Sequence, residues 1–275
     1  MTRSGHPLAI EVITAHGMNP ADMVHLCAGL GVPRIGLANS PVICIPDGRA
    51  GWNLAEDPAL RRAVKAALLD TGVRVVLGEG FLIHPQMDIA DSQPMLDLLA
   101  DLGAERVNCV GLEPDERRMH DQFARFANLA GERGMGSMIE FMPFVAVDSL
   151  PKALACVAAS GVDGAGVLLD SMHVFRTGTD LADIAALDPA VIGHVQLCDS
   201  RAGLDAQAYM TCAKSERLVP GTGELALHDF LKAIPQGKIV GLEIPQALVT
   251  QSGIDDCARL TAVIDACRSF STDLL

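Results

Sequence analysis

The stretch GAGVLLDSMH (164–173) reads as a short apolar strand that ends on an acid and turns directly into a helix. Val167, Leu168 and Leu169 suit a strand covered on both faces. Asp170 closes the run with a charge that packing does not need, and a buried charge is costly unless paired. The same grammar recurs on either side. GMGSMIEFMP (134–143) brings Glu140 to the end of its run, VIGHVQLCDS (191–200) brings Gln196, and KIVGLEIPQ (238–246) brings Glu243. Oxygen-bearing side chains therefore finish four successive apolar runs.

Outward from these runs, short apolar segments alternate with longer helical patterns along the whole chain. Strands are predicted at 8–14, 34–39, 73–79, 106–112, 135–141, 164–170, 191–198 and 238–244. Helical patterns fall at 20–30, 57–71, 92–102, 115–133, 148–159, 180–187, 224–234 and 254–270. A count of eight strands, each followed by a helix, over 275 residues matches the (β/α)8 TIM barrel, for which ~250 residues is typical. No linker-like tract interrupts the pattern, so residues 1–275 are expected to form one domain. Gly72, Gly103, Gly134 and Gly161 each stand between a helical run and a strand, where a left-handed cap is wanted. Ser252, three residues before Asp255, reads as a start of the last helix, and Glu224 as a cap of the one before it. The connection 40–56 holds the only Trp and could fold over the barrel mouth. A doubly wound open sheet is the competing architecture, disfavoured because no Gly-rich phosphate loop follows an early strand.

Composition narrows the function. Hydrophobic residues make 49% of the chain, enough for a large aliphatic core, but aromatic residues only 4%, too few for a base-stacking platform. A net charge of −13 opposes binding to nucleic acid or an anionic membrane surface. The N-terminal apolar run is cut by Glu11, unlike a signal peptide, and no run reaches the ~20 residues of a spanning helix. The eight cysteines contain no C-x-x-C pair and read as reduced thiols. A cytoplasmic enzyme for a small molecule is the expectation, with room for a homo-oligomer.

In such a barrel the chemistry sits at the carboxyl ends of the strands. Glu140, Asp170, Gln196 and Glu243 occupy that position on the fifth to eighth strands. Three carboxylates and an amide oxygen are hard donors, favouring one divalent ion, Mn2+ or Mg2+, with Co2+ or Zn2+ as substitutes. The period of two places His194 on the same face as Gln196, ~7 Å deeper, as an inner-layer residue. Glu79 and His84, near the end of the third strand, are candidates to line the mouth and touch substrate. His6, His16, His25, His120 and His228 read as surface histidines.

Taken together, E-F-M-P, D-x-x-H-x-x-R-x-G, V-Q-L-C-D, a G-x-G-E turn and V-G-L-E-I-P resemble the xylose isomerase-like TIM-barrel superfamily. The sugar phosphate isomerase/epimerase branch is the nearest match, strongest over 73–246. The resemblance implies that Glu140 and Glu243 are both metal ligands and the acid–base pair, and that Asp170 is a ligand. It implies that His173 meets a substrate oxygen, and that Arg176 and Arg201 hold polar or anionic substrate groups. Ketose epimerases of the family usually carry His where this chain has Gln196. Glutamine there also resembles members of the 3-dehydroshikimate dehydratase type. The related apurinic endonucleases need a larger set of His ligands and a basic surface that this chain lacks. The expected function is a metal-dependent isomerase or epimerase of a keto-sugar or sugar phosphate, working by proton abstraction through a metal-stabilised enediolate. A dehydratase is the alternative, and a barrel that only binds a carbohydrate-like metabolite is the second.

Overall fold

The computed structural model describes residues 5–15, 17–42 and 51–271. Its strands are β1 (Leu8–Ile10), β2 (Arg34–Ala38), β3 (Arg74–Ile83), β4 (Arg106–Gly111), β5 (Gly136–Glu140), β6 (Ala165–Asp170), β7 (Ile192–Leu197) and β8 (Val240–Leu242). They pair in sequence order, all parallel, and β8 returns to β1 through Leu8↔Val240 and Ile10↔Leu242. The barrel is closed, as the eightfold alternation predicts.

The α-helices are α1 (Pro20–Gly29), α2 (Pro58–Thr71), α3 (Gln93–Asp101), α4 (Glu116–Gly131), α5 (Leu150–Ser160), α6 (Ser171–Arg176), α7 (Leu181–Ala185), α8 (Ala206–Ser215), α9 (Leu227–Ala233), α10 (Ala247–Gln251) and α11 (Asp256–Phe270). The main hydrophobic core lies between these helices and the outer face of the strands, and includes Ile35, Val75, Val107, Ile139, Val167, Val195 and Leu242. Alternation sends the neighbours of those residues inward. Leu77, Met138 and Leu168 form a separate small cluster, one layer below Glu79, Glu140 and Asp170. An apolar cluster thus lies beneath the acids of β3, β5 and β6, which stand at the carboxyl-terminal mouth.

Local chemistry explains most boundaries. Gly72, Gly103, Gly134 and Gly161 all have positive φ, the conformation their position before a strand demands. Asp57, Asp115 and Asp255 cap α2, α4 and α11 through their side chains. The start of α11 therefore belongs to Asp255, not Ser252. Glu224 does not cap α9 either: its Oε2 accepts from the Ala202 backbone 2.7 Å away, bracing the loop after β7. The sequence pattern missed three short helices, α6, α8 and α10. His16, Cys44 and most of the connection beyond Val42 lie outside the described residues; Trp52 packs on Val12, Ile13 and Ala38.

Candidate active site

Glu140 is the last residue of β5, Asp170 the last of β6, Gln196 the penultimate residue of β7, and Glu243 follows β8 directly. All four are buried, and parallel register places them side by side: Asp170 pairs with Gln196, and Gln196 with Gly241. Glu140 Oε2 accepts from Asn108 Nδ2 at 2.9 Å, and its Oε1 lies 3.3 Å from His173 Nε2. Asp170 caps α6, accepting from the His173 backbone at 3.1 Å. This cap makes strand end and helix start one unit, so His173 is carried over the acid that precedes it by one turn.

A residue that the strand-end pattern does not disclose completes the cluster. Arg217 comes from the return leg after α8. Its Nη1 donates to Asp170 Oδ2 and, at 2.6 Å, to Glu243 Oε2. The guanidinium is buried, and burial of an unpaired cation would be prohibitive; the two carboxylates are its compensation. Burial alone would raise the Asp170 carboxyl, but Arg217 and then His173 hold it below the usual carboxylate range. Glu243 goes the other way: burial raises it well above that range, Arg217 opposes, and the Asp170 charge adds to the rise. Two neighbouring carboxyls that share one guanidinium are thereby shifted in opposite directions.

Arg217 is held by the loop that follows it. Asp199, just past β7, accepts from four backbone N–H groups: Ser200 at 2.8 Å, Gly221 at 3.0 Å, Gly223 at 2.9 Å and Leu225 at 3.1 Å. Asp199 and Leu218 also exchange backbone hydrogen bonds of 2.8 and 2.9 Å, and the Arg217 N–H donates to the Pro245 carbonyl at 3.0 Å. A side chain at Gly223 would collide with the Asp199 carboxylate, its Cβ 2.3 Å from Oδ1. The G-x-G-E turn is therefore built to wrap an aspartate and present the arginine two residues before Val219.

A second polar group lies beside this cluster. Glu11, which ends β1 in the same manner as the other acids, is completely buried, with Oε1 2.6 Å from His194 Nε2. Burial, with the Glu140 charge beside it, raises the Glu11 carboxyl from 4.5 to about 8. Burial, followed by the Arg106 charge, lowers His194 from 6.5 to about 3. Both members of this pair are therefore neutral near pH 7. Glu79 Oε1 accepts from Gln196 Nε2 at 3.0 Å, so the amide is turned with its oxygen away from that acid. Burial and the charges of Glu11 and Glu140 raise Glu79 well above the usual range.

The remaining residues read from the sequence lie further out. Arg176, in the last turn of α6, sits over the rings of Phe144 and Tyr209, 5.4 and 5.5 Å from their centroids. Phe144 is exposed and has φ 71°, a left-handed conformation unusual for a side chain of that size. His84 is half-buried; its Nδ1 accepts from the Gln86 backbone at 3.2 Å. Arg201 is exposed and lines a cleft of about 430 Å3 with Leu204, Ala208, Cys212 and Leu218, and none of the four strand-end residues lines it.

The donor set fits a divalent cation. Glu140, Asp170 and His173 each offer one ligand atom, all within 4.8 Å of one another. Among the described residues Gln196 Oε1 is buried without a hydrogen-bond partner, an orphan that a cation would satisfy. Arg217 alters the charge balance: with all three carboxyls ionised, as ligation would require, they and the one guanidinium sum to −2, the charge a divalent ion neutralises.

A closed parallel barrel with acids converging at its carboxyl-terminal mouth defines the class: a TIM barrel with a strand-end polar site. The chain belongs to the xylose isomerase-like TIM barrel family, whose model matches residues 42–260. It is 27% identical over 216 residues to a Streptomyces coelicolor protein named "Putative hydroxypyruvate isomerase", covering 66% of this chain and 72% of that one. Its fold is similar to that of the IolI protein with a bound zinc atom (TM-score 0.78, 17% identity, 98% and 99% of the two chains). It is also similar to D-psicose 3-epimerase with D-fructose (TM-score 0.70, 16% identity, 96% and 98%). A further likeness is to 3-keto-D-glucoside 4-epimerase from E. coli (TM-score 0.70, 14% identity, 96% and 99%).

Proposed function

We propose that the protein is a divalent-metal-dependent isomerase or epimerase of a small hydroxy-ketone, a keto-sugar or sugar phosphate by class. The observation that carries this reading is that Glu140 and Glu243 converge from β5 and β8 on one buried site, with Asp170 and Gln196 between them. Two carboxyls that reach a substrate from two sides suit removal of a proton beside a carbonyl and its return to another face or carbon. The names of the Streptomyces coelicolor relative and of the epimerase structures support the same reaction class.

Glu140, Asp170, Gln196 and Glu243 would hold the metal. When bound, such an ion polarises a carbonyl and acidifies the neighbouring C–H bond. The protein supplies the rest. One glutamate of the pair takes the proton, and the other returns it. Arg217 keeps Asp170 ionised. His173 Nε2, beside Glu140, is a hydrogen-bond donor for an oxygen on the adjacent carbon. The same donor could assist departure of a β-hydroxyl, which keeps a dehydratase as the second reading.

The test is incubation of the Mn2+-loaded protein in D2O with hydroxypyruvate, ketohexoses, their phosphates and cyclic hydroxy-ketones, followed by mass spectrometry and NMR. Solvent deuterium in an isomeric product supports the proposal, and Glu140→Gln and Glu243→Gln should each lower the rate ~10²–10⁴-fold. Product lighter by one water replaces it with the dehydratase. Absence of exchange with every compound favours a barrel that only binds.

A further inference from the structure

We infer that Tyr209 is a positioning residue for His173: its hydroxyl fixes the imidazole in the form that carries hydrogen on Nε2, the nitrogen facing the site. The inference deepens the proposed function and rests on the reading that His173 meets the substrate.

His173 is buried in the first turn of α6, and its two ring nitrogens face different neighbours. Nε2 lies 3.3 Å from Glu140 Oε1, while Nδ1 is hydrogen-bonded to the Tyr209 hydroxyl. A neutral imidazole has one N–H and one lone pair. The Tyr209 O–H is a donor for a bare Nδ1, and a ring bare on that side carries its hydrogen on Nε2, toward the Glu140 oxygens that can accept it. The reverse form would aim a lone pair at a carboxylate oxygen and leave no donor toward the substrate. Tyr209 is equipped to hold its proton, since burial pushes its ionisation up.

The phenol is also held in place. Tyr209 is the only tyrosine of the chain and is buried on α8, whose start is capped by Asp205. Phe144 packs edge-on against its ring with centroids 5.8 Å apart, and the Arg176 guanidinium covers it at 5.5 Å. The arrangement Tyr209–His173–Glu140 is a relay of orientation. The phenol sets the ring form, and the ring directs a donor at the oxygen-rich end of the site.

The experiment is nitrogen-15 NMR of the ring nitrogens in the full-length protein, metal-free and with Mg2+, the His173 signals being identified by their loss in His173→Gln. Wild type should show hydrogen on Nε2 and a bare, hydrogen-bonded Nδ1. In Tyr209→Phe, which keeps the ring and its packing, the two forms should mix and turnover should fall ~10–100-fold. In Phe144→Ala, which keeps the hydroxyl, the ring form should not change. Tyr209→Phe should add no further loss of turnover to His173→Gln. Hydrogen on Nδ1 in wild type, with or without Mg2+, overturns the inference, as does an unchanged spectrum in Tyr209→Phe. Because the spectrum is read without substrate, it decides the role of Tyr209 even if no hydroxy-ketone is turned over.

Discussion

Arg217 Nη1 sits 2.6 Å from Glu243 Oε2 while also donating to Asp170, so one guanidinium nitrogen ties the end of β8 to the end of β6. The cation is almost fully enclosed, and solvent screens this cluster little. It makes the acidic mouth of the barrel tolerable in the absence of a metal.

Arg217→Met should therefore destabilise the metal-free protein by ~3–5 kcal/mol, the range for breaking a buried ion pair from one side. For a chain of this size that is a drop in Tm of about 10 °C. Adding Mg2+ or Mn2+ should recover part of it, because a divalent ion also neutralises Asp170 and Glu243. Thermal melts with chelator and with metal check this. An unchanged Tm in chelator would show that the two carboxyls do not depend on Arg217.

Asp199→Ala tests how the arginine is placed. Its carboxylate satisfies four buried or half-buried N–H groups in the loop 200–225. Leaving such donors without an acceptor costs ~1–3 kcal/mol each where water cannot reach them. The expected outcome is a lowered Tm, faster amide exchange confined to residues 217–225, and loss of turnover comparable to that of Arg217→Met. Exchange that stays slow in this segment would mean that the antiparallel bridge to Leu218 suffices to hold it.

The strand ends were legible in the sequence for a physical reason. An acid or amide closing an apolar run breaks the pattern that packing sets, as Glu140, Asp170, Gln196 and Glu243 each do. Glu11 breaks it in the same way after Leu8–Ile10, yet a single acid near the start of the chain reads as an interruption until the barrel closes β1 onto β8. Arg217 and Tyr209 are different. They lie on the return leg between β7 and α9, where no strand period operates, and only the fold brings that leg back over the mouth. The third strand shows a related limit: β3 continues through Gly80, with φ 98°, to Ile83, although the glycine looks like a terminator.

Close packing around Glu11 yields a steric prediction. Its carboxylate fills the space that Cβ atoms would take at Gly36 and Gly241; a Cβ on Gly241 would stand 1.6 Å from Oε1. Gly241→Ala alone should cost several kcal/mol, ~3 or more, since neither β8 nor the enclosed acid can move aside. Placed in a Glu11→Ala background the same substitution should cost much less, and the shortfall is the coupling energy of the pair. Denaturant melts of the four proteins measure it. Simple additivity would show that the glycine is required for backbone reasons instead.

Glu11 also predicts how stability follows pH. Its carboxyl rises from 4.5 to about 8 in the folded protein, so between these values the folded state holds a proton that the unfolded chain has released. More protons bound in the folded state means that stability falls as pH rises through this window, by at most about 1.4 kcal/mol per pH unit for one group. Glu79 and Glu243 are raised as well and act in the same sense. They remain in Glu11→Gln, so the difference between variant and wild type reports Glu11 together with its coupling to Glu79. The amide can still donate to His194 Nε2, as the protonated acid does, without being able to ionise. Urea melts at pH 5 and pH 8.5 should show the variant gaining on wild type at the higher pH, by up to a few kcal/mol on the order of the single-group limit. Parallel pH profiles for the two proteins would mean that the Glu11 carboxyl is not raised in the fold.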